Sequence, residues 1–246
     1  MKRIMMGRQP FFIAAANDYG HVIKQLAYYR ANLNVSYNNK TAVYVATYLD
    51  NFEAIKALAD CGADLDLTPC ADIPPPIFIA IQKGHAKILT YFIRCGADLN
   101  LVYDNSTPLF VAALLGKTEM VKQLIKTPKT DLDISCIDSI DDLLKLTGDE
   151  VIPQIDTFLK KQLDSNEIKV TAYDIALIRG HDEIAQLIEQ ERDKRVLQKS
   201  LSQQKGLSFF EDHEPSLKKR KRQTDEETNK HHKGDSTLSN NLNHQF

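Results

Sequence analysis

Histidine, cysteine and neighbouring acidic residues are the first candidates for chemistry in this chain. It contains seven histidines and four cysteines, but none stands in a C-x-x-C or H-E-x-x-H pattern, the spacings that hold zinc. Asp131 with Asp133, and Asp141 with Asp142, are acids paired in the sequence, but they need an enclosing pocket to act as acid and base. No glycine-rich phosphate loop and no G-x-S-x-G serine elbow is present. The sequence therefore predicts no catalytic residue, no metal site and no cofactor.

The composition is that of a folded chain with no strong overall charge. The 246 residues carry a formal net charge of -2, and 43% of them are hydrophobic. This is enough apolar surface for a core, and it gives no general attraction to nucleic acid or anionic membranes. No stretch approaches the roughly 20 apolar residues of a membrane helix. The cysteines are expected to be reduced thiols, as is usual in the cytosol or nucleus.

One sequence unit recurs along the chain. Its clearest copy is TPLFVAALLGKTEMVKQLI, at residues 107–125. The recognisable copies begin at Gln9, Thr41, Pro75, Thr107 and Thr171. The first three spacings are 32, 34 and 32 residues. A constant period of this length predicts a stack of repeats in which each unit buries its apolar face against its neighbours.

A further copy is expected between the last two recognisable ones. The spacing there is 64 residues, twice 32, which places its start near Ser139. The segment SIDDLLKLTG follows, with Gly148 at the matching offset. Leu144 and Lys145 stand where alanines are usual, and Pro153 falls inside the expected second helix, which it would bend or shorten. We therefore expect this fifth repeat to be the least stable.

Residue types at fixed offsets favour two short helices in each unit. A proline in the first turn of a helix loses no hydrogen bond, and a glycine after the last turn adopts the left-handed conformation easily. The helix-starting prolines are Pro10, Pro76 and Pro108. The helix-ending glycines are Gly84, Gly116, Gly148 and Gly180. The small residues that let a neighbouring helix approach are Ala14, Ala46, Ala80, Ala112 and Ala176.

The unit resembles the ankyrin repeat, which has a period of about 33 residues and a T-P-L-H-x-A core. The resemblance covers about residues 5–192. It implies an all-α solenoid of about six helix-turn-helix repeats with hairpin-like loops. We predict this domain over residues 1–200, with repeats beginning near 9, 41, 75, 107, 139 and 171, and a separate tail over residues 201–246.

The histidine of the T-P-L-H core is missing from every copy. Its position is taken by Phe12, Tyr44, Phe78, Phe110, Asp142 and Asp174. The threonine-to-histidine hydrogen bond of the family is therefore expected to be absent, with aromatic packing in its place.

The polar composition of the tail predicts disorder, because such a segment buries too little apolar surface to offset the entropy lost on ordering. Five consecutive cations in it, Lys218, Lys219, Arg220, Lys221 and Arg222, resemble a nuclear localisation signal that binds importin. A solvated charge run is the alternative. The segment SFFEDHE at residues 208–214 is a candidate docking motif, unless its two aromatics fold back on the last repeat.

Partners of ankyrin repeats usually contact the loop tips and the ends of the first helices on the concave side. Several of these positions here are apolar or aromatic, such as Tyr48, Leu49 and Leu115, although the fold does not demand it. Exposed apolar stripes often mark interfaces, and the alternative is extra core. The complete predicted set is Tyr37, Asn38, Lys40, Tyr48, Leu49, Gln82, Lys83, Tyr103, Asp104, Ser106, Leu114, Leu115, Ile178 and Arg179.

We therefore expect a monomeric, non-catalytic adaptor that binds a protein partner and acts in the cytoplasm, the nucleus or both. Membrane contact is not expected, and the acids beside the basic cluster argue against direct nucleic-acid binding. One alternative is an effector secreted by an intracellular bacterium to recruit a host protein. Another is an enzyme with a site near the degenerate fifth repeat.

Overall fold

The computed structural model describes residues 10–136, 143, 158 and 169–203. The chain divides into two units, Met1–Arg192 and Asp193–Phe246. In the second unit, residues 193–203 are helical and expose the apolar side chains of Val196, Leu197 and Leu201.

The first unit consists of repeated pairs of short helices. The first helices of the repeats are α1 (Pro10–Ala16), α3 (Ala42–Tyr48), α5 (Pro76–Lys83), α7 (Pro108–Leu114) and α9 (Ala172–Ile178). The second helices are α2 (Gly20–Tyr28), α4 (Phe52–Asp60), α6 (Ala86–Cys95) and α8 (Thr118–Ile125). The last repeat continues with helical residues 182–192. The predicted all-α repeat solenoid is confirmed.

The helix pairs stack in order, first helices against first helices and second helices against second helices. Ala46, Ala80, Ala112 and Ala176 are completely buried where the first helices meet, so the predicted close approach is correct. Large side chains from both helices of a repeat, such as Phe92, fill the space between the layer of first helices and the layer of second helices. Burying one such side chain stabilises the fold by about 1.5–3 kcal/mol.

Hairpin tips connect successive repeats. In the first, β1 (Ser36–Tyr37) pairs with β2 (Lys40–Thr41), and Tyr37 faces Lys40. The same pairing recurs as a single bridge between Tyr103 and Ser106. The two intervening residues of each tip have positive φ angles, as type I′ turns require; they are Asn38, Asn39, Asp104 and Asn105.

Threonine side chains begin three of the first helices. Thr41 and Thr107 each accept a hydrogen bond from the backbone N–H three residues later, at 3.0 and 3.2 Å. In the last repeat, the Thr171 hydroxyl also donates to the Asp174 carboxylate at 2.7 Å. The expected aromatic packing at the former histidine position is therefore wrong for this repeat, because Asp174 supplies a carboxylate acceptor for Thr171.

The residues that end helices α1 and α3 were not predicted from the sequence. Asp18 and Asp50 occupy the left-handed position where later repeats have glycine, with φ angles of 58° and 61°. Their side chains reach the next repeat. The Asp18 carboxylate accepts from the N–H of Ala54 at 2.7 Å, and Asp50 lies 3.4 Å from the His85 ring nitrogen. Aspartate is tolerated at such positions, and here it also links two repeats.

The last repeat packs directly on the fourth. Helix α9 contacts α7, and Lys122 of α8 forms an ion pair of 3.1 Å with Glu183. A Cβ atom placed on Gly116 would lie 2.8 Å from the ring of His181. The described repeats beginning at Thr107 and Thr171 are therefore in direct contact. Of the predicted fifth repeat, the described residues are Leu143, which is buried, and Phe158, which packs against the core.

Residues 137–169 are flanked by a backbone pair that belongs to a hairpin tip. The N–H of Cys136 donates to the carbonyl of Val170 at 3.0 Å. This pair corresponds to Tyr37 with Lys40 and to Tyr103 with Ser106 at the other hairpin tips. Two residues join those pairs, whereas residues 137–169 join Cys136 to Val170. A segment of nearly one period thus stands where a two-residue turn is usual.

A ladder of side-chain-to-backbone hydrogen bonds follows the loops after the second helices. In successive repeats, the N–H of Asp64 donates to Asn34, the N–H of Asp98 to Asp66, and the N–H of Asp131 to Asn100, at 2.8–3.0 Å. Arg192 ends the ladder with an ion pair to Asp133. These bonds supply partners for loop N–H groups and fix the register between repeats.

Candidate protein-binding surface

The structure exposes most of the residues that the sequence assigned to partner binding. Tyr37, Tyr48, Leu49 and Leu115 are large side chains that remain 43–47% exposed. The polar members Asn38, Lys40, Gln82, Lys83, Asp104 and Arg179 are also exposed. The alternative that Tyr48, Leu49 and Leu115 are extra core is therefore excluded by their exposure.

Four predicted positions are less accessible than expected. Ser106 is only 8% exposed, since it pairs with Tyr103 inside the hairpin tip. Ile178 is 1% exposed and belongs to the core, while Leu177 beside it points outward at 37%. Tyr103 and Leu114 are half-buried against the core. Ser106 and Ile178 therefore cannot offer their side chains to a partner.

Two tyrosines of α3 lie between two lysines. The rings of Tyr44 and Tyr48 are 6.3 Å apart and nearly parallel, at 12°. The Lys40 ammonium lies 5.5 Å from the centre of the Tyr44 ring, and the Lys83 ammonium lies 4.3 Å from that of Tyr48. Both distances fit cation–π contacts. We call these four residues the tyrosine–lysine row.

Tyr44 was missing from the predicted site. Its position in the repeat is that of the absent histidine, so the sequence indicated core packing. Burial is the main cause that raises the pKa of Tyr44 above its usual value, the neighbouring Tyr48 adds to it, and Lys83 opposes it. The ring is thus partly withdrawn from water while its neighbours Lys40 and Tyr48 stay exposed.

Further aromatic pairs support the hairpin tips. The rings of Phe12 and Tyr37 are 5.7 Å apart, and so are those of Phe78 and Tyr103. Phe12 and Phe78 occupy the missing-histidine position, so the predicted aromatic substitution is confirmed in these two repeats. Burial, followed by the nearby Asp104 carboxylate, raises the pKa of Tyr103. The tip tyrosines are therefore held in place by aromatic packing from their own repeats.

Comparison with known proteins identifies the repeats. The family model described as ankyrin repeats (3 copies) matches residues 2–69 and, a second time, residues 71–138. Together these matches cover more than half of the chain. The chain belongs to the ankyrin-repeat family. The second match ends close to Cys136, the residue that pairs with Val170 across residues 137–169. Ankyrin repeats form protein–protein interaction modules.

Three curated proteins are similar to this ankyrin chain over part of their length. Alpha-latrocrustotoxin-Lt1a of Latrodectus tredecimguttatus is 26% identical over 117 residues, which are 48% of this chain and 8% of the toxin. Alpha-latroinsectotoxin-Lt1a of the same organism is 33% identical over 34% of this chain and 6% of the toxin. The ankyrin repeat and KH domain-containing protein mask-1 of Caenorhabditis elegans is 24% identical over 49% of this chain and 5% of that protein. The chain thus spans a small fraction of each relative.

The second helices of the ankyrin repeats carry a different surface, which we call the back surface: the exposed polar side chains of α2, α4, α6 and α8. Lys24 forms an ion pair of 3.1 Å with Asp60 of the next repeat, and the Tyr91 hydroxyl donates to the same carboxylate at 3.2 Å. Burial, the nearby Cys95 thiol and Asp60 raise the pKa of Tyr91 to about 12. On this surface the polar groups thus bind one another across repeats.

Other kinds of site find little support in the described part of the ankyrin chain. Within it, no group of histidine, cysteine and acidic residues could hold a metal ion, and no helix is long and apolar enough to cross a membrane. All four cysteines are free thiols. A polar cleft of about 350 Å³ between α2 and α4 is lined by Asp18, His21, Lys24 and Glu53, among others. The basic cluster at 218–222, the 208–214 segment and most of the predicted fifth repeat lie outside the described residues.

Proposed function

We propose that this ankyrin chain is an adaptor that binds a protein partner through one face of its stack. This front surface consists of exposed and partly buried side chains from the hairpin tips and from the first helices and their ends. Its members are Tyr37, Lys40, Tyr44, Tyr48, Leu49, Lys83, Tyr103 and Leu115. One observation supports the proposal above others: Tyr37, Tyr48, Leu49 and Leu115 are each 43–47% exposed at the hairpin tips and the ends of the first helices.

Equivalent positions in other repeats show that stacking does not require these apolar residues. Leu49 and Leu115 correspond to Asn17, Lys83 and Arg179 at the same offset, and all three of these polar residues are exposed. The fold therefore accepts a polar side chain at this position. Aromatic side chains are also enriched in protein interfaces and depleted at ordinary surfaces. Tyrosine and leucine at this face are consistent with selection for contact with another protein.

A pair of matched tyrosine variants tests the proposal. Partners captured by the full chain would be identified by mass spectrometry, and the affinity of each would then be measured for Tyr37→Ala/Tyr48→Ala. We expect a loss of about 30-fold or more, since an anchor residue contributes about 2 kcal/mol. The control is Tyr28→Ala/Tyr29→Ala, which removes two tyrosines that are 81% and 75% exposed at the end of α2.

The outcome for each partner separates a front contact from nonspecific capture. A partner that loses affinity for the front variant and keeps it for the control binds where we propose. Equal affinity for both variants and the parent would overturn the proposal. Thermal unfolding of each variant checks that the stack is intact.

We also propose that the basic cluster Lys218, Lys219, Arg220, Lys221 and Arg222 directs the chain to the nucleus. Support comes from five consecutive cations in a polar tail, a composition that importin recognises. Replacing all five with alanine in a fluorescent fusion should shift the protein from nucleus to cytoplasm. A parent protein that never enters the nucleus would contradict this role.

A further inference from the structure

The tyrosine–lysine row combines positive charge with an aromatic surface in a fixed arrangement. Lys40 comes from a hairpin tip, both tyrosines from α3, and Lys83 from the end of α5 in the next repeat. Each ammonium lies over a tyrosine ring, at 5.5 and 4.3 Å. Contact with the ring restrains the long lysine side chain, so less entropy is lost when it binds an anion.

Neither lysine of the row is neutralised by a carboxylate. Within the part of the chain that the structure describes, Lys40 and Lys83 form no ion pair, whereas Lys24 and Lys122 on the second helices each bind an acid at 3.1 Å. A ring attracts an ammonium through its face but leaves N–H groups free to donate to an anion. The row thus offers two ammonium groups that form no ion pair with a described carboxylate.

The dimensions of the row match an extended chain. The Tyr44 and Tyr48 rings are 6.3 Å apart, and side chains at positions i and i+2 of a β-strand are about 6.6–6.8 Å apart on one face. Alternate residues of an extended peptide can therefore pack on successive rings. The lysines at the two ends of the row would then face residues at the two ends of that segment.

We propose that the tyrosine–lysine row binds an extended acidic segment of the partner protein. Carboxylates of the segment bind the Lys40 and Lys83 ammonium groups, and the side chains between them pack on Tyr44 and Tyr48. This assignment rests on the proposed function of the front surface, and it specifies the chemistry of the partner there.

Nearby acids argue against a nucleic acid as the ligand. Asp72 and Asp104 lie close enough to Tyr103 to raise its pKa, so they place negative charge beside the row at the hairpin tips. A phosphodiester backbone carries a charge on every nucleotide and would meet this repulsion along its length. A peptide can place carboxylates at the lysines and neutral residues beside the acids.

The test uses the full chain and a fluorescent random copolymer of glutamate and tyrosine as the acidic probe. Fluorescence anisotropy measures its binding to the parent, to Lys40→Gln/Lys83→Gln, and to Lys56→Gln/Lys87→Gln. The second pair removes the same charge from the back surface, where Lys87 also lies over an aromatic ring, Phe52, at 3.7 Å. We expect the front pair to weaken binding about tenfold or more, as for two lost charge contacts, and the back pair to change it by about twofold or less.

Two further probes identify what the row prefers. A lysine–tyrosine copolymer and a single-stranded oligothymidylate should both bind more weakly than the acidic copolymer. Equal losses in the two lysine pairs, tighter binding of the oligothymidylate, or no binding of the acidic copolymer by the parent would each overturn the proposal.

The tyrosine variants separate this result from a failure of the proposed function. If Tyr37→Ala/Tyr48→Ala weakens a natural partner while Lys40→Gln/Lys83→Gln does not, the front surface binds proteins but not through acidic segments. If neither pair weakens it, the front surface itself is not the binding site. The melting temperature of each exposed-lysine variant is the control for folding.

Discussion

The two faces of the stack use polar and aromatic residues in opposite ways. On the back surface, Lys24 binds Asp60 and Lys122 binds Glu183, so charges of one repeat are neutralised by the next. On the front surface, Lys40 and Lys83 lie over tyrosine rings and form no ion pair among the described residues. The back surface therefore pairs opposite charges across repeats, whereas the two lysines of the front surface pair with aromatic rings and form no ion pair in the part of the chain that the structure describes. This difference favours the front surface as the proposed binding face in a fold whose overall form is shared by many unrelated functions.

The comparison of the two surfaces depends on direct packing of the last repeat on the fourth. Gly116→Ala tests this packing and should cause the largest loss in the free energy of unfolding. Gly116 has a φ angle of 65°, and its new Cβ would also meet the His181 ring. Gly84→Ala is the matched control, because Gly84 has a φ angle of 83° but its nearest contact would be 3.9 Å away. Overpacking of this kind costs about 1–3 kcal/mol beyond the shared backbone strain. Chemical denaturation measures the difference.

A second substitution assigns that difference to its cause. His181→Ala in the Gly116→Ala background should recover most of the additional loss, because it removes the ring that the new methyl group meets. Equal destabilisation by the two glycine variants would show that the last repeat does not pack on the fourth.

Breaking a back-surface ion pair should have a smaller effect. A double-mutant cycle with Lys122→Ala and Glu183→Ala should give a coupling energy of about 0.2–1 kcal/mol, because both side chains are partly exposed. Lys83→Gln should lower the free energy of unfolding by no more than about 1 kcal/mol, since it removes an exposed cation–π contact with Tyr48 and no ion pair with a described carboxylate. Zero coupling on the back surface, or a large loss at Lys83, would remove the contrast between the two faces.

The pH dependence of unfolding at alkaline pH tests the contribution of Tyr91 on the back surface. It is expected to be the smallest of these effects. The neutral phenol of Tyr91 is favoured in the folded state, where its pKa is about 12 rather than 10.0. The stabilisation from this group is therefore fully present below about pH 10 and is lost as the pH rises to about 12. The Tyr91→Phe variant keeps the ring packing with Phe52 and lacks the titrating group. Its free energy of unfolding should fall less steeply than that of the parent over this window, as measured by denaturant titration at several pH values.

The repeat pattern predicted the elements of the stack but not every position in it. Alanines at 46, 80, 112 and 176 indicated close helix contacts, and all four are completely buried. The period predicted a copy beginning near Ser139, most of which lies outside the described residues. It did not predict the backbone pairing of Cys136 with Val170, because these residues are far apart in the sequence and no local signal encodes their contact.

The candidate site was predicted in outline, and its centre was missed. Counting along the repeat found Tyr37, Tyr48 and Leu115 because their offsets are those of exposed positions. Tyr44 was left out because its offset belongs to the core of the family, and only the contacts with Lys40 and Tyr48 reveal its part in the surface. Ile178 shares the offset of Tyr48 but is buried. Exposure at a given offset thus depends on the neighbouring repeat, which the repeat's own sequence does not determine.

Site-specific photocrosslinking tests the central claim most directly, since it reports contact without requiring a stability argument. A benzophenone amino acid would replace Tyr48 on the front surface or, as the matched control, Tyr28, which is 81% exposed on α2. After irradiation in cells, the front position should give a discrete adduct with a protein partner, and Tyr37→Ala in the same chain should reduce its yield. The control position should give no adduct with that partner. The same adduct from Tyr28, or its absence from Tyr48, would contradict the assignment of the front surface as the binding face.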